Sequence, residues 1–272
     1  MKIYYLGPTG SFSEQIAKKI YIGHELISLQ TFSEIVEKVE DDSNSVGLLV
    51  IENSISSSVH QSVDLMFESR AKIIGEAFME ISLDLIGIPG TKINNLKKVY
   101  SHPQAFAQCS RFIKKNNLNV LVEQSTASAA DLVKKSNKKI CAAIGSKYLA
   151  KIMGLQVIES DVANVKHNMS RWIMIANNSH LDINNADKLT VIFKVKHLAG
   201  SLVKVLDKIA KMNGNLTKIE SRPLPGTNWE YEFWVDVEVG QTKAKDFLSL
   251  MKKETLEYRL LGAYSRGKLY NS

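Results

Sequence analysis

The sequence predicts an α/β protein built of two unlike parts. Short β-rich runs alternate with helix-period stretches from Ile3 to Ala176, the pattern of strands joined by helical crossovers. A polar, amide-rich break, Asn177-Asn178-Ser179-His180-Leu181-Asp182-Ile183-Asn184-Asn185, then interrupts the alternation. Beyond it the order becomes strand, helix, strand, strand, helix, strand, which is the βαββαβ order of ferredoxin-like domains.

In the first part, strands are predicted at Ile3–Leu6, Val46–Ile51, Ile73–Ala77, Ile81–Ile88, Lys98–Ser101, Val120–Glu123, Ile140–Ile144 and Arg171–Ala176. Each is a short run rich in β-branched or other apolar residues. Helices are predicted at Ser13–Ile20, Ser33–Glu40, Val59–Phe67, Pro103–Lys114, Ala127–Lys134 and Ser146–Ile152. Glu14 follows Ser11 by three residues, the spacing of a capping box, and Pro103 suits a first helical turn. In the second part the six elements are Leu189–Val195, Ser201–Met212, Leu216–Ser221, Glu230–Val239, Lys243–Lys253 and Tyr258–Tyr264.

Composition excludes several classes. The chain has 272 residues, enough for more than one core, with ordinary apolar and charged fractions. Its formal charge is +7, but the paired lysines (Lys18-Lys19, Lys114-Lys115, Lys134-Lys135, Lys138-Lys139, Lys252-Lys253) are scattered and not interleaved with aromatics. That argues for an attraction toward small anions and against a nucleic-acid partner. No apolar run approaches the roughly 20 residues of a membrane span. Met1 to Leu6 reads as a first strand rather than a signal peptide, so a cytoplasmic protein without a membrane partner is expected. Cys109 and Cys141 are too few and too far apart for a metal pattern, and reduced, partly buried thiols are expected.

The chemistry is expected where strands hand over to helices, because free N–H groups and the helix dipole there attract anions. Small polar residues collect at four such places: Gly7 to Ser13, Glu52 to Ser58, Ser101 to Gln104, and Ser125 to Ser128. One such turn is ordinarily a helix cap; four in one α/β region point to a pocket for an anionic small molecule. The sequence shows no phosphate loop, dinucleotide turn, paired-histidine metal motif or nucleophile elbow. A site using hydroxyls, amides and a carboxylate, with no cofactor and no metal, is the expectation.

Over nearly its whole length the sequence resembles the prephenate dehydratase family. YLGPTGSFSEQIA, LLVIENSISSSVHQSVDLM, SHPQAFAQC, STASAA and AAIGSKYLAKIMGLQVIESDVAN follow in the family's order. NMSRW stands where the family carries Asn-x-Thr-Arg-Phe. LAGSLVKVLDKIA and NLTKIESRPLPGTNWEYEFWVDVEV resemble an ACT regulatory domain. The resemblance implies a catalytic domain over 1–177 made of two lobes, like a periplasmic binding protein. Lobe 1 would take about 1–77 and 165–177, and lobe 2 about 78–164, with the chain crossing near Phe78 and returning near Val165. A linker at 178–187 and an ACT domain at 188–272 would follow.

The implied reaction expels carbon dioxide and the ring hydroxyl of prephenate, as water, to give phenylpyruvate. Ser170 would assist departure of the hydroxyl, with Glu52, Asn53 and Gln108 completing the catalytic set. Ser11, Ser54, Ser101, Thr126 and Arg171 would bind substrate, Arg171 alternatively pairing with Asp161, while Asn164 and Asn168 brace the returning segment. Phenylalanine would be the allosteric effector, held by Leu198, Ala199, Gly200, Ser201, Leu202, Asn215, Glu220, Ser221, Arg222 and Pro223 from adjacent subunits of a homodimer or homotetramer. The chain departs from the pattern where Ser170 replaces Thr, Ser57 replaces Gly and Trp172 replaces Phe, and Leu83-Asp84 stands where many relatives carry a His. The alternatives are an arogenate dehydratase, or a catalytically weak small-molecule sensor on the same scaffold.

Overall fold

A computed structural model describes residues 1–177, 181–224, 226–227, 229–240 and 243–271. Part of the expected linker, 178–180, lies outside the described residues. The chain opens with β1 (Lys2–Leu6), α1 (Phe12–Ile20), β2 (Glu25–Leu29), α2 (Phe32–Asp41), β3 (Ser45–Asn53), β4 (Ser57–Ser58), α3 (His60–Glu68) and β5 (Lys72–Glu80). Next come β6 (Asp84–Gly87), β7 (Lys98–Ser101), α4 (Pro103–Gln108), α5 (Ser110–Lys115), β8 (Asn119–Val122) and α6 (Thr126–Ser136). They lead into β9 (Cys141–Gly145), α7 (Lys147–Met153), β10 (Gln156–Glu159) and β11 (Met169–Ala176). The last third holds β12 (Lys188–Lys194), α8 (Ser201–Lys211), β13 (Asn215–Pro223), β14 (Tyr231–Glu238), α9 (Ala244–Glu254), β15 (Glu257–Tyr264) and β16 (Lys268–Tyr270).

Two sheets result. The smaller runs β10-β6-β9-β7-β8, and the larger runs β13-β14-β12-β15-β5-β11-β3-β1-β2, with β16 also on β5 and β4 on β3. β5 runs on to Glu80, two residues past the expected crossing at Phe78, because Met169 pairs with Glu80 in register. The expected strand Ile81–Ile88 is thus divided: Ile81 N–H donates to the Asn168 carbonyl, and β6 starts only at Asp84. The expected helix Pro103–Lys114 also divides, at Cys109. Asn164 fits into that break, its amide donating to the Ala107 carbonyl and Ser110 Oγ and its oxygen accepting from Arg111 N–H.

The capping box expected at α1 is half formed. Ser11 Oγ accepts from Glu14 N–H, while the Glu14 carboxylate reaches back to Gly10 N–H rather than to Ser11. A reciprocal box does start α2, from Thr31 and Glu34.

The last third has the βαββαβ order, with its sheet arranged β13-β14-β12-β15. Its own core packs Leu189, Val191, Phe193, Val205, Ile209, Val235 and Phe247. Leu181, Ile183 and Ala186, in the expected linker, pack against that core as well. The other face joins the first region: Ile192, Trp234, Leu261 and Tyr264 share a cluster with Val63, Met66, Phe67 and Ile73. Burying a side chain of this size contributes about 1.5–3 kcal/mol. Within the larger sheet, the strands of the βαββαβ unit join those of the first region where Gly262 of β15 pairs with Ile73 of β5. A Cβ at Gly262 would stand 2.6 Å from the Ile73 carbonyl oxygen, so the approach depends on glycine. Among the described residues no helix is long and apolar enough to cross a membrane.

Candidate functional site

β11 runs antiparallel between β3 and β5, setting Ser170 opposite Asn53 and Arg171 opposite Glu52. Asn53 is the hub of this strand end. Its Nδ2 donates to Ser170 Oγ at 2.9 Å, Asn168 Oδ1 at 2.5 Å and the Met169 carbonyl at 3.1 Å. Its Oδ1 accepts from the Ile55 and Ser56 N–H groups, so the following turn orients the amide. Ser54 brackets Met169, its N–H donating to the Met169 carbonyl and its Oγ accepting from Met169 N–H. Asn168, 2% exposed, donates to Gln108 Oε1 at 3.3 Å and thereby ties α4 to the same cluster.

A cavity of about 360 Å³ opens beside Ser170, lined by Glu52, Asn53, Ser54, Ser57, Ser58, Phe78, Met169, Arg171, Lys218 and Ile219. Five of the residues expected in the site (Ser170, Glu52, Asn53, Ser54 and Arg171) line it. The other four do not. Gln108 touches the cluster only through Asn168. Ser101 is fully buried and donates Oγ to the Ile144 carbonyl, so its hydroxyl holds β7 to β9. Ser11 spends its hydroxyl on the Glu14 N–H and the Leu6 carbonyl. Thr126 stands in the first turn of α6, behind the Ser125 cap.

Arg171 differs most from expectation. It is 3% exposed, with Nη1 2.9 Å from Glu52 and 2.6 Å from Asp236, and Nε 2.7 Å from Glu76. Nη2 also donates to Tyr264 Oη at 3.3 Å. The alternative partner Asp161 lies elsewhere, taking Asp84 Oδ1 on its N–H and Lys166 at 4.0 Å. Burial opposes the guanidinium charge, but Asp236, Tyr264, Glu76 and Glu52 outweigh it and hold its pKa well above the ordinary value. A cation already shared by three carboxylates is poorly placed to bind a substrate carboxylate. It joins β11 to the βαββαβ unit instead.

Around it lies a buried polar network that the sequence did not announce. Lys188 pairs with Glu76 at 2.9 Å. Asp236 Oδ1 accepts from Thr190 Oγ1 and from Trp234 Nε1, both at 2.8 Å. Burial would raise the Asp236 pKa; Arg171, Lys188 and the Thr190 hydroxyl reverse this and hold it below the carboxylate range. Lys218 reaches Glu52 at 3.3 Å, Glu220 at 2.8 Å and Ser58 Oγ at 2.7 Å. Charges inside otherwise apolar strands (Asp236 in YEFWVDVEV, Glu76 in KIIGEAF) were the available signal.

Of the residues expected to bind an effector, Leu198, Ala199, Ser201 and Leu202 line a second cavity of about 310 Å³ with His197, Tyr231 and Phe233. Gly200 caps α8 at φ +81. Glu220 and Arg222 do not line that cavity. Glu220 accepts from Ser58 and stands 3.4 Å from His60, and Arg222 pairs with Asp64 and Glu68 over the Phe67 ring. Asn215 donates to Glu238, while Ser221 and Pro223 are exposed on β13. Cys109 and Cys141 are buried free thiols, Cys109 being pushed up to about 12 by burial and the nearby Asp161 and Asp84.

Comparison with known proteins identifies the family. The family model for prephenate dehydratase matches residues 3–180. A prephenate dehydratase of Methanocaldococcus jannaschii is 34% identical over 269 residues, covering 96% of this chain and 97% of the relative. Arogenate dehydratase 2 of Petunia hybrida is 33% identical over 281 residues, covering 97% of this chain and 71% of the relative. The solved prephenate dehydratase of Staphylococcus aureus subsp. aureus Mu50 matches with a TM-score of 0.87 at 27% identity, over 97% of this chain and 100% of that one. One from Arthrobacter aurescens, in complex with L-Phe, also matches at 0.87 and 27%, over 98% and 90%. A chain described as GqqA, a novel type of quorum quenching acylase, matches at 0.88 and 27%, over 98% of each. By its matched model and by its near full-length relatives, the chain belongs to the prephenate dehydratase family.

Proposed function

We propose that the chain converts prephenate to phenylpyruvate, with Ser170 delivering the proton to the departing ring hydroxyl. The observation that carries this is the Asn53–Ser170 hydrogen bond in the 360 Å³ cavity. Because Asn53 Nδ2 donates, Ser170 Oγ is the acceptor, and its own proton is left to be given into the cavity. Aromatisation drives the loss of carbon dioxide and water, so the chain's task is to hold the dianion and move that proton. A serine hydroxyl is a weak acid. The same amide donor that fixes it also stabilises oxygen charge as the proton leaves. Glu52 is less suited to be the donor, since its two oxygens are engaged by Arg171 and Lys218. The hydroxyls of Ser54 and Ser57, which line the cavity, are assigned to the substrate carboxylates. Gln108 holds Asn168, and so the strand end, in place.

Phenylalanine is proposed as a feedback inhibitor acting on the βαββαβ unit as an ACT domain. The cavity at Leu198 to Leu202 combines apolar walls from Tyr231 and Phe233 with the polar His197, a fit for an aromatic amino acid. Asn215, Ser221 and Pro223 of a second copy would complete it in a homodimer or homotetramer, consistent with a cytoplasmic biosynthetic enzyme. Glu220 and Arg222 are left out of that set, being engaged within the chain.

Arogenate is the second reading of the substrate, favoured by relatives that bear that name at similar identity. Measuring kcat/KM of the purified chain on both compounds tests the proposal. Turnover of prephenate at least about tenfold more efficient than arogenate supports it. Preference for arogenate reassigns the substrate, and inertness toward both overturns the reading.

A further inference from the structure

Lys218 brings the C-terminal unit into the candidate site. Lys218, Glu220 and Arg222 are spaced two apart on β13 and so share one face of the strand. All three contact the N-terminal region: Lys218 meets Glu52 and Ser58, Glu220 meets Ser58, and Arg222 meets Asp64 and Glu68. Lys218 goes deepest, its side chain only 4% exposed, and it lines the same cavity as Ser170. Glu52 is held from both sides, Oε1 by Arg171 on β11 and Oε2 by Lys218 on β13. Its chain neighbour Asn53 carries the hydrogen bond to Ser170. Burying an ammonium is costly unless it is fully partnered, and here Glu52, Glu220 and Ser58 supply three partners.

We propose that Lys218 is a positioning residue for the reaction. It fixes Glu52 and the adjoining Asn53–Ser170 pair, so that the reaction cavity is complete only with the βαββαβ unit docked. This rests on the functional reading above and extends it to a residue outside the matched 3–180 region. It also gives a direct route by which a movement of β13 alters the site, since Lys218 and Glu220 share that strand.

The test is a kinetic double-mutant cycle in the full chain, with prephenate as substrate. Lys218→Met lowers kcat by about tenfold while KM moves less than about threefold, and Lys218→Arg restores most of the loss. In a Glu52→Gln background, Lys218→Met lowers kcat by less than about twofold, because the group it positions is already altered. Lys211→Met, on the exposed face of α8, leaves kcat at the wild-type value. Melting temperatures are measured for each variant, and Lys218→Gln replaces Lys218→Met in the cycle if the latter does not fold. Wild-type kcat in Lys218→Met, or the same fold-loss with and without Glu52→Gln, overturns the proposal. A wild-type chain inert toward prephenate would instead show that the functional reading itself had failed.

Discussion

Replacing Arg171 by Met is expected to destabilise the chain more than replacing Asp236 by Asn. Three cations at the junction, Arg171, Lys188 and Lys218, face four carboxylates, Glu52, Glu76, Asp236 and Glu220. Arg171→Met leaves two cations against four carboxylates, whereas Asp236→Asn leaves three against three. Removing one partner of a buried ion pair costs about 3–5 kcal/mol. Arg171 serves three carboxylates, which places it near the upper figure. Asn at position 236 can still accept from Thr190 or Trp234, which places it near the lower one. At about 2–4 °C per kcal/mol for chains of roughly this size, the melting temperature falls by about 10–20 °C for Arg171→Met and about 6–12 °C for Asp236→Asn. Circular dichroism melts at pH 7 measure both, and added salt changes them little because the pairs are buried. An Arg171→Met variant that melts with the wild type, or above Asp236→Asn, would show that Arg171 does not hold the junction together.

Further predictions follow from the same geometry. Ser57 holds φ +64, which costs an L-residue about 1–2 kcal/mol; glycine gives back about 0.5–1 kcal/mol as unfolded-state entropy. Ser57→Gly is therefore expected to raise the melting temperature by about 1–4 °C, and an unchanged or lower value contradicts this. Gly262→Ala presses a methyl against the Ile73 carbonyl and is expected to cost about 1–3 kcal/mol, read as a lower urea midpoint. An unaltered midpoint would mean the β15–β5 joint is not needed. Asp236 and Glu220 both have depressed folded pKa values, Asp236 chiefly through Arg171 and Glu220 chiefly through Lys218, each against burial. Their stabilisation is present above the unfolded carboxylate values near about 4 and is lost as pH falls through the lower folded values. Asp236→Asn should thus flatten the acid-unfolding limb below about pH 4 and leave the slope between about pH 5 and 7 unchanged.

The α/β alternation and the βαββαβ order were legible because strand and helix periods differ and the central strands are nearly all apolar. What escaped were the half-buried edge strands β2 and β10, and β16, which falls after the sixth element of the C-terminal pattern. Glu52, Asn53 and Ser54 could be nominated because polar groups cluster at a strand end, and Ser170 because NMSRW resembles the family's Asn-x-Thr-Arg-Phe. Their register could not, since it depends on β11 inserting between β3 and β5 from more than 80 residues away in sequence. Arg171 was read as a substrate ligand because nothing local reveals Asp236, 65 residues downstream, or Glu76, on a different strand. Nothing local marks Lys218 either, because its partners Glu52 and Ser58 lie 166 and 160 residues away in sequence. Tertiary partners decide whether a charge serves a ligand or a joint.

On the proposed mechanism, Ser170, oriented by Asn53, supplies the proton that lets the ring hydroxyl leave. The direct measurement is kcat for phenylpyruvate formation from prephenate by Ser170→Ala, with folding checked by its melting temperature. A positioned proton donor contributes about 10²–10⁴-fold, so kcat is predicted to fall by that range with the fold intact. A folded Ser170→Ala chain that keeps wild-type turnover would contradict the account.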